Sequence, residues 1–321
     1  MPSLDALAIL TSPAILFFCL GLVAALARSD LALPDATAKA LSLYLMLCIG
    51  FKGGVEARHA GLTADFAVAA GLGVALSAMI PLLLFVLLRR ITRLDRSTVC
   101  ALAATYGSVS VVTFAAGVDY LAGLGLKPSG HMAAVLALME TPAILTALLI
   151  LRRHGPAAPR AAVLHEVFLN AASVLLIGSF LIGLASGSAG MMRLELFVGP
   201  LFQGALCLFL LDLGLRAARR ILADRHRLSP PLVAFALMFP LPAAIVAMGL
   251  ARLAGLSPAD GIMLGVLAAS GSYIAVPAAM RLAAPEADEG VYTTASLALT
   301  FPFNLVIGIP AIAVLGMAIG I

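Results

Sequence analysis

Two polar interruptions, each at mid-length in an apolar stretch long enough to cross a bilayer, constrain this chain more than any other feature. They read Ala-Ala-Thr-Tyr-Gly-Ser-Val-Ser-Val-Val-Thr (103–113) and Leu-Ala-Ala-Ser-Gly-Ser-Tyr-Ile-Ala-Val-Pro (267–277). Laid over one another they match at Ala104/Ala268, Gly107/Gly271, Ser108/Ser272 and Ala115/Ala279. Within hydrocarbon no water pairs with free backbone amides, so an interrupted helix survives only where it lines a cavity or is packed in protein. Breaks at corresponding places of two half-chains point to a transporter's binding site.

The frame around them is apolar throughout. A spanning helix needs about 20 mostly apolar residues. Candidates run approximately 8–28, 37–55, 63–88, 97–118, 131–151, 166–186, 196–215, 229–252, 259–283 and 292–318. The chain is 62% hydrophobic and 11% charged, where a soluble domain has about 45–50% and about 25%. The expected fold is an all-α polytopic membrane protein of about ten transmembrane helices, with helices 4 and 9 broken. The formal charge of +4 is then a matter of topology rather than of binding nucleic acid. Residues 9–25 are apolar but follow no Lys or Arg; a signal sequence wants a basic start, so they read as the first span.

The segment Arg-Arg-His-Gly-Pro-Ala-Ala-Pro-Arg (152–160) breaks the composition most sharply. It divides the chain into residues 1–152, a linker at 153–165, and residues 166–321. Five spans per half require the second half to enter from the opposite side, so likeness between halves describes an inverted repeat. Leu-Ala-Leu-Met-Glu-Thr-Pro (136–142) resembles Leu-Ala-Leu-Thr-Phe-Pro (297–302) with one gap, and Gly53 has a counterpart in Gly214. Of the 20 Lys and Arg, 15 fall in the loops on one side, where Arg89, Arg90, Arg216, Arg219 and Arg220 cluster. That face is expected to be cytoplasmic, with both termini outside.

A helix that stops at mid-membrane offers N–H groups carrying about half a positive charge, which suits a small anion. Freed carbonyls and hydroxyls suit a cation. Gly107 and Gly271 would allow close backbone approach, with Ser108, Ser110, Thr113, Ser270 and Ser272 as hydroxyl ligands; Pro277 would keep the second break open. Gly and Ser also occur where membrane helices merely touch; the pairing of the motifs favours a site. Glu140 lies inside the fifth span, where an ionisable group costs at least about 2.5–3.5 kcal/mol and marks an ion path. Thr300, Pro302 and Asn304 stand at the related place in the tenth span. Asp212 and Arg216 are spaced as a structural ion pair, Lys52 is placed to reach the interface, and Asn170 to bond between helices. The five histidines fall at span ends or in loops, without metal-ligand spacing, and Cys19, Cys48, Cys100 and Cys207 read as small core residues.

At Gly107-Ser108-Val109-Ser110, Thr113, Glu140-Thr141-Pro142, and Ala268 to Ser272 with Pro277, the chain resembles the sodium-dependent bicarbonate transporter family (SbtA-type permeases). The resemblance covers nearly the whole chain. It implies two inverted five-helix repeats, similar to bile-acid-symporter-like folds, with spans 1, 2, 6 and 7 as a gate or scaffold domain. Spans 3–5 and 8–10 would form a core domain. Substrate would bind at Gly107, Ser108, Ser110, Ser270, Gly271 and Ser272, and sodium at Ser108, Thr113, Glu140, Ser272 and Thr300. Sodium would be the coupling ion, with no other cofactor or metal. A homotrimer in a bacterial inner membrane is also implied. Val111 and Val112 stand where members are richer in Ser and Gly, Tyr273 where they carry an acidic residue, and Glu140 where they carry Asp. The short linker departs from members that bind a PII-like regulator.

The leading expectation is sodium-dependent symport of a small anion, bicarbonate first, by elevator-type alternating access. Alternatives are carriage of another small carboxylate and Na+/H+ exchange through Glu140. An intramembrane hydrolase using Ser270 or Ser272 would need a base within reach, and no histidine lies inside a span. An ion channel would not need inverted halves with paired breaks.

Overall fold

The computed structural model describes residues 12–61, 63–152 and 171–320, and these are helical with no strand among them. The start of the first expected span, the linker, and Arg153, His154, Arg160, His165 and Asn170 lie outside the described residues.

The helices are α1 (Pro13–Leu26), α2 (Asp35–Ala60), α3 (Ala64–Ile91), α4 (Arg96–Gly107), α5 (Val111–Gly123), α6 (Met132–Arg152), α7 (Ala171–Val198) and α8 (Pro200–Asp224). They continue as α9 (Pro230–Met238), α10 (Pro240–Leu253), α11 (Pro258–Ala268) and α12 (Ala275–Ala283). A last rod runs from Glu289 to Ala318. Eight helices among the described residues are long and apolar enough to cross a membrane, the pairs α4–α5 and α9–α10 each counting as one. This is a multi-pass membrane protein.

The sixth and seventh spans sit further along than expected. Residues 186–195 are rich in Ser, Gly and Glu and read as a loop, yet α7 continues through them with Gly187 at φ 56°. A side chain at that φ is strained. The carbonyls freed at this kink are capped by Arg58, which donates to Leu184 O at 3.3 Å and to Ala185 O. Only Gly199 then separates α7 from α8.

The long helices sort by what they touch. α2 packs along α7, and α1 along α8. Both seams are backbone against backbone. A Cβ on Gly21 would lie 2.1 Å from Leu211 O, and one on Gly214 would lie 2.2 Å from Phe18 O. Across the other seam, Gly54 and Gly183 would come within 1.9 Å of Phe180 O and 2.1 Å of Phe51 O. In lipid such close approach supplies dispersion contacts that no hydrophobic effect provides. The remaining helices form a second cluster: α3 against α4 and α6, α10 against α11, and α11 against α5. Its innermost members are buried on every side, residues 98–107 of α4 and 259–268 of α11 without exception. They are apolar all round, as a helix enclosed by other helices should be.

Two prolines inside spans are accommodated differently. Pro142 in α6 has no N–H and crowds the carbonyl a turn earlier. Ser77 of α3 enters the opened ladder, donating to Met139 O and accepting from Ala143 N at 3.1 Å. In the last rod, around Pro302, the helix widens instead to π geometry over Thr294–Thr300 and again over Asn304–Gly308.

The expected pair of Asp212 and Arg216 is present at 2.6 Å, and Arg216 also reaches Asp35 at 2.8 Å. Lys52 lies 5.3 Å from the ring centre of Phe202. The cysteine expectation needs correction: Cys48 and Cys100 are buried, but Cys19 is exposed and Cys207 half-buried. Cys19 sits on the face of α1 turned away from its glycine seam with α8.

Candidate functional site

The two interruptions meet. α4 stops at Gly107, residues 108–110 run extended, and α5 starts at Val111. α11 stops at Ala268, residues 269–274 make no helix, and α12 starts at Ala275. Three hydrogen bonds join the segments. Ser272 N donates to Thr105 O at 2.8 Å, Ser110 N to Ser270 Oγ at 3.0 Å, and Ser110 Oγ to the Tyr273 hydroxyl at 3.3 Å. Every buried backbone group there needs a partner, and the serines supply much of that pairing.

Local chemistry explains each turn. Ser110 is the N-cap of α5: its Oγ accepts from Thr113 N at 3.1 Å while its own backbone is extended. Serine is favoured there because a short side-chain oxygen reaches the orphan amides of the first turn. Ser272 does the same for α12, accepting from Val276 N at 3.3 Å. At the end of α11, Ser270 Oγ donates to Leu267 O at 2.7 Å, and Asn304 Nδ2 donates to Ala269 O at 2.8 Å. The widened last rod thus places an amide against the carbonyl that the break frees. Asn304 Oδ1 is buried without a partner.

A cavity of about 20 Å³ lies where the segments cross, lined by Met46 of α2, residues 109–112, Glu140, and residues 272–275. A single water needs at least about 10–15 Å³ by the same measure, so one water-sized body fits. Glu140 is buried, and its carboxylate accepts from Ser173 Oγ of α7 at 2.8 Å. Its backbone carbonyl accepts from Ser108 Oγ at 3.4 Å.

Larger spaces flank the crossing at opposite ends of the helices. At the Arg-rich end, about 840 Å³ opens between α2, α8 and α12, and includes Lys39, Arg216, Arg219, Arg220, Arg281, Tyr273 and Pro277. At the other end, about 480 Å³ is bounded by Lys52, Phe114, Val118 and Gln203. Two polar contacts span the second space. Lys127 meets Glu56 at 3.0 Å, and Gln203 Nε2 donates to Asp119 at 3.0 Å.

The nine residues expected to bind solute therefore fall into three groups. Ser110, Ser272 and Glu140 line the small cavity. Ser108 and Ser270 fasten the crossing without lining it. Gly107, Gly271, Thr113 and Thr300 do neither. A Cβ on Gly107 would lie 2.3 Å from Pro81 Cγ and 3.1 Å from Ala143 Cβ, so its missing side chain makes room for α3 and α6. Thr300 turns the other way, donating to Ala236 O at 2.7 Å and lying 2.6 Å from the Tyr106 hydroxyl. The expectation of close backbone approach to a ligand at Gly107, and of a sodium ligand at Thr300, meets other partners in the structure.

Sequence reasoning passed over Ser77, Tyr106 and Ser173. Ser77 had a signal in hindsight: a lone hydroxyl in an apolar span at a depth matching Pro142. Tyr106 is fully buried and packs on Phe235 and Phe239 of the bent α9–α10 rod, with ring centres 4.8 and 5.2 Å away. Only three-dimensional contact could reveal that role.

No curated protein matches the chain. A family model matches residues 13–316, nearly its whole length, and is described as the Na+-dependent bicarbonate transporter superfamily. Enclosed half-helices, hydroxyls at their ends and a carboxylate beside them occur within a matched span of that extent, and the chain belongs to the Na+-dependent bicarbonate transporter superfamily.

Proposed function

We propose that this protein is a secondary active transporter that carries sodium together with a small anion, with bicarbonate as the leading substrate. The fold we infer for it has ten spans in two inverted five-helix repeats, residues 1–152 and 166–321, with crossing helices broken at 108–110 and 269–274. In this reading α1, α2, α7 and α8 are the scaffold, and the remaining helices are a core that moves against it as an elevator. The Arg-rich end faces the cytoplasm of a bacterial inner membrane.

The observation that carries this reading is the crossing itself: two helix interruptions hydrogen-bonded to each other around a cavity, between spaces at opposite ends of the molecule. The hydroxyl inventory supports two different ligands. A hydroxyl has one proton and two lone pairs. Ser110 and Ser270 each give the proton to a protein acceptor and accept one backbone N–H, which leaves each a lone pair. Lone pairs and the Glu140 carboxylate suit a hard cation such as sodium. An anion needs donors instead, and the first amides of α5, those of Val111 and Val112, have no acceptor within their helix. A cation beside them would lower the cost of bringing the anion's charge out of water.

The test is uptake of labelled bicarbonate into proteoliposomes under an imposed sodium gradient. Uptake should require sodium and fall at least tenfold in Glu140→Gln with folded protein retained. Equal uptake in sodium and choline would remove the symport reading. Preference for formate over bicarbonate would move the substrate to another carboxylate, and sodium-driven proton flux without bicarbonate would make the protein an exchanger.

A further inference from the structure

We propose that Tyr273 is the inner barrier of this transporter, the side chain that separates the cavity at the crossing from the Arg-rich vestibule and must leave Ser110 for solute to pass. The inference deepens the transport reading above and rests on it. Its basis is an asymmetry between the two ends. The cavity and the Arg-rich space share two lining residues, Tyr273 and Ile274. The cavity and the opposite space share none. Toward the Arg-rich end the wall is therefore one side-chain layer thick; toward the other end it is thicker.

The layer is built as a fastening rather than as packing alone. The Tyr273 ring meets Phe301 edge-on at 5.5 Å between centres, and its hydroxyl accepts from Ser110 Oγ at 3.3 Å. That bond is long for two hydroxyls, whose usual separation is about 2.7–2.8 Å, so little is lost when it opens. Ile274 beside it is 43% exposed and bears on the barrier from one side only. Tyr273 sits in a six-residue segment with no helical hydrogen bonds of its own, which leaves its backbone freer to turn than a helical position. Opening has a chemical consequence too. Among the described residues that line the cavity, Ser272 and Tyr273 are the hydroxyls whose protons go to no protein acceptor. A phenol swinging aside would present that donor to an anion oxygen in transit, where an acidic side chain would present only acceptors.

Cysteine accessibility tests the barrier without any transport. Val111 lines the cavity and tolerates a smaller thiol, so Val111→Cys is labelled with a membrane-impermeant methanethiosulfonate in inside-out and right-side-out vesicles. The protein without that substitution corrects for its four native cysteines. With Tyr273 in place, labelling from the Arg-rich side should be slow. Tyr273→Ala should speed it at least tenfold, and Tyr273→Phe, which keeps the ring and loses the fastening, about threefold. Because Tyr273→Phe preserves the stacking on Phe301, it serves if the alanine variant does not fold. Equal rates with Tyr, Phe and Ala at 273, or acceleration only from the opposite side, would overturn the proposal. Bicarbonate uptake measured in parallel keeps the two readings apart. Loss of sodium-dependent uptake in the parent protein defeats the transport reading, whereas side-specific acceleration of labelling reports the barrier alone.

Discussion

The two crossing segments are alike in sequence and unlike in build. The first is short: three extended residues between α4 and α5, with Gly107 pressed against Pro81 and Ala143 and a serine cap closing the next helix. The second spans six residues, and Gly271 has room around it, the nearest atom to an added Cβ being Ser296 Cβ at 3.4 Å. The first segment is held by packing from α3 and α6; the second is held by hydrogen bonds, from Asn304, Thr105 and Ser110. The difference teaches that matched motifs need not do matched work. One segment is fixed ground, and the other is free to rearrange on it.

The sharpest way to break that comparison is to put a methyl group on each glycine. At Gly107 it would lie 2.3 and 2.5 Å from the Pro81 ring, and a proline ring cannot swing away as a flexible chain would. Overpacking of this kind costs about 1–3 kcal/mol, and rigid neighbours put Gly107→Ala at the top of that range. The expected outcome is a thermal midpoint lowered by several degrees in detergent, or protein that does not leave the membrane folded. An unchanged midpoint would mean that the first segment is as loose as the second.

Next in size is Ser77→Ala. The hydroxyl serves both ends of the gap that Pro142 opens in α6. Its loss leaves Met139 O and Ala143 N buried and unpaired, at about 1–3 kcal/mol for each such group. The last rod has no such outside support at Pro302 and relies on its π turns, which often occur at functional sites. Ser77→Ala should therefore lower stability by about 2 kcal/mol, read as the shift in thermal midpoint. Mutating Thr300, whose hydroxyl bonds to Ala236 O, should cost less.

Ser110→Ala comes third, at about 1 kcal/mol for the lost cap. Ser110→Thr should restore most of it, because threonine also caps. Ser272→Ala removes one acceptor from Val276 N and should cost less than Ser110→Ala. If the order reverses, the second segment is the better anchored of the two.

How much of this was legible beforehand follows from what kind of information each feature needs. Span positions are a matter of local composition, and α3, α6 and the last rod lie within a few residues of where their apolar runs place them. The interruptions are legible for the same reason, since Gly, Ser and Pro at mid-membrane have few explanations. Residues 186–195 are not: nothing local says that Arg58, from another helix, will cap a kink and let α7 run on. Site membership fails likewise. Gly107 and Gly271 are the same letter in matched motifs, and only the neighbours Pro81 and Ser296 tell a packing glycine from an open one. Thr300 stood at the right depth but on the far side of its helix from the cavity, facing Ala236 and Tyr106.

The smallest expected effect is the most informative. Gly271→Ala adds a methyl group that would touch Ser296 Cβ at 3.4 Å, Thr105 O at 3.6 Å and Tyr106 Cδ1 at 3.7 Å, all ordinary contacts. The backbone at Gly271 is not in the left-handed region, so alanine brings no strain and restricts the unfolded chain. Substitutions of that type are neutral or stabilise by about 0.4–1 kcal/mol. The thermal midpoint should therefore hold or rise slightly, in contrast to Gly107→Ala. Uptake then becomes decisive. A folded, stable Gly271→Ala with at least tenfold slower sodium-driven uptake would mean that the second segment must change shape, or admit solute against bare backbone, in each cycle. Full uptake would mean that its freedom lies in the length of the segment and the hydroxyl fastening of Tyr273, and not in the glycine.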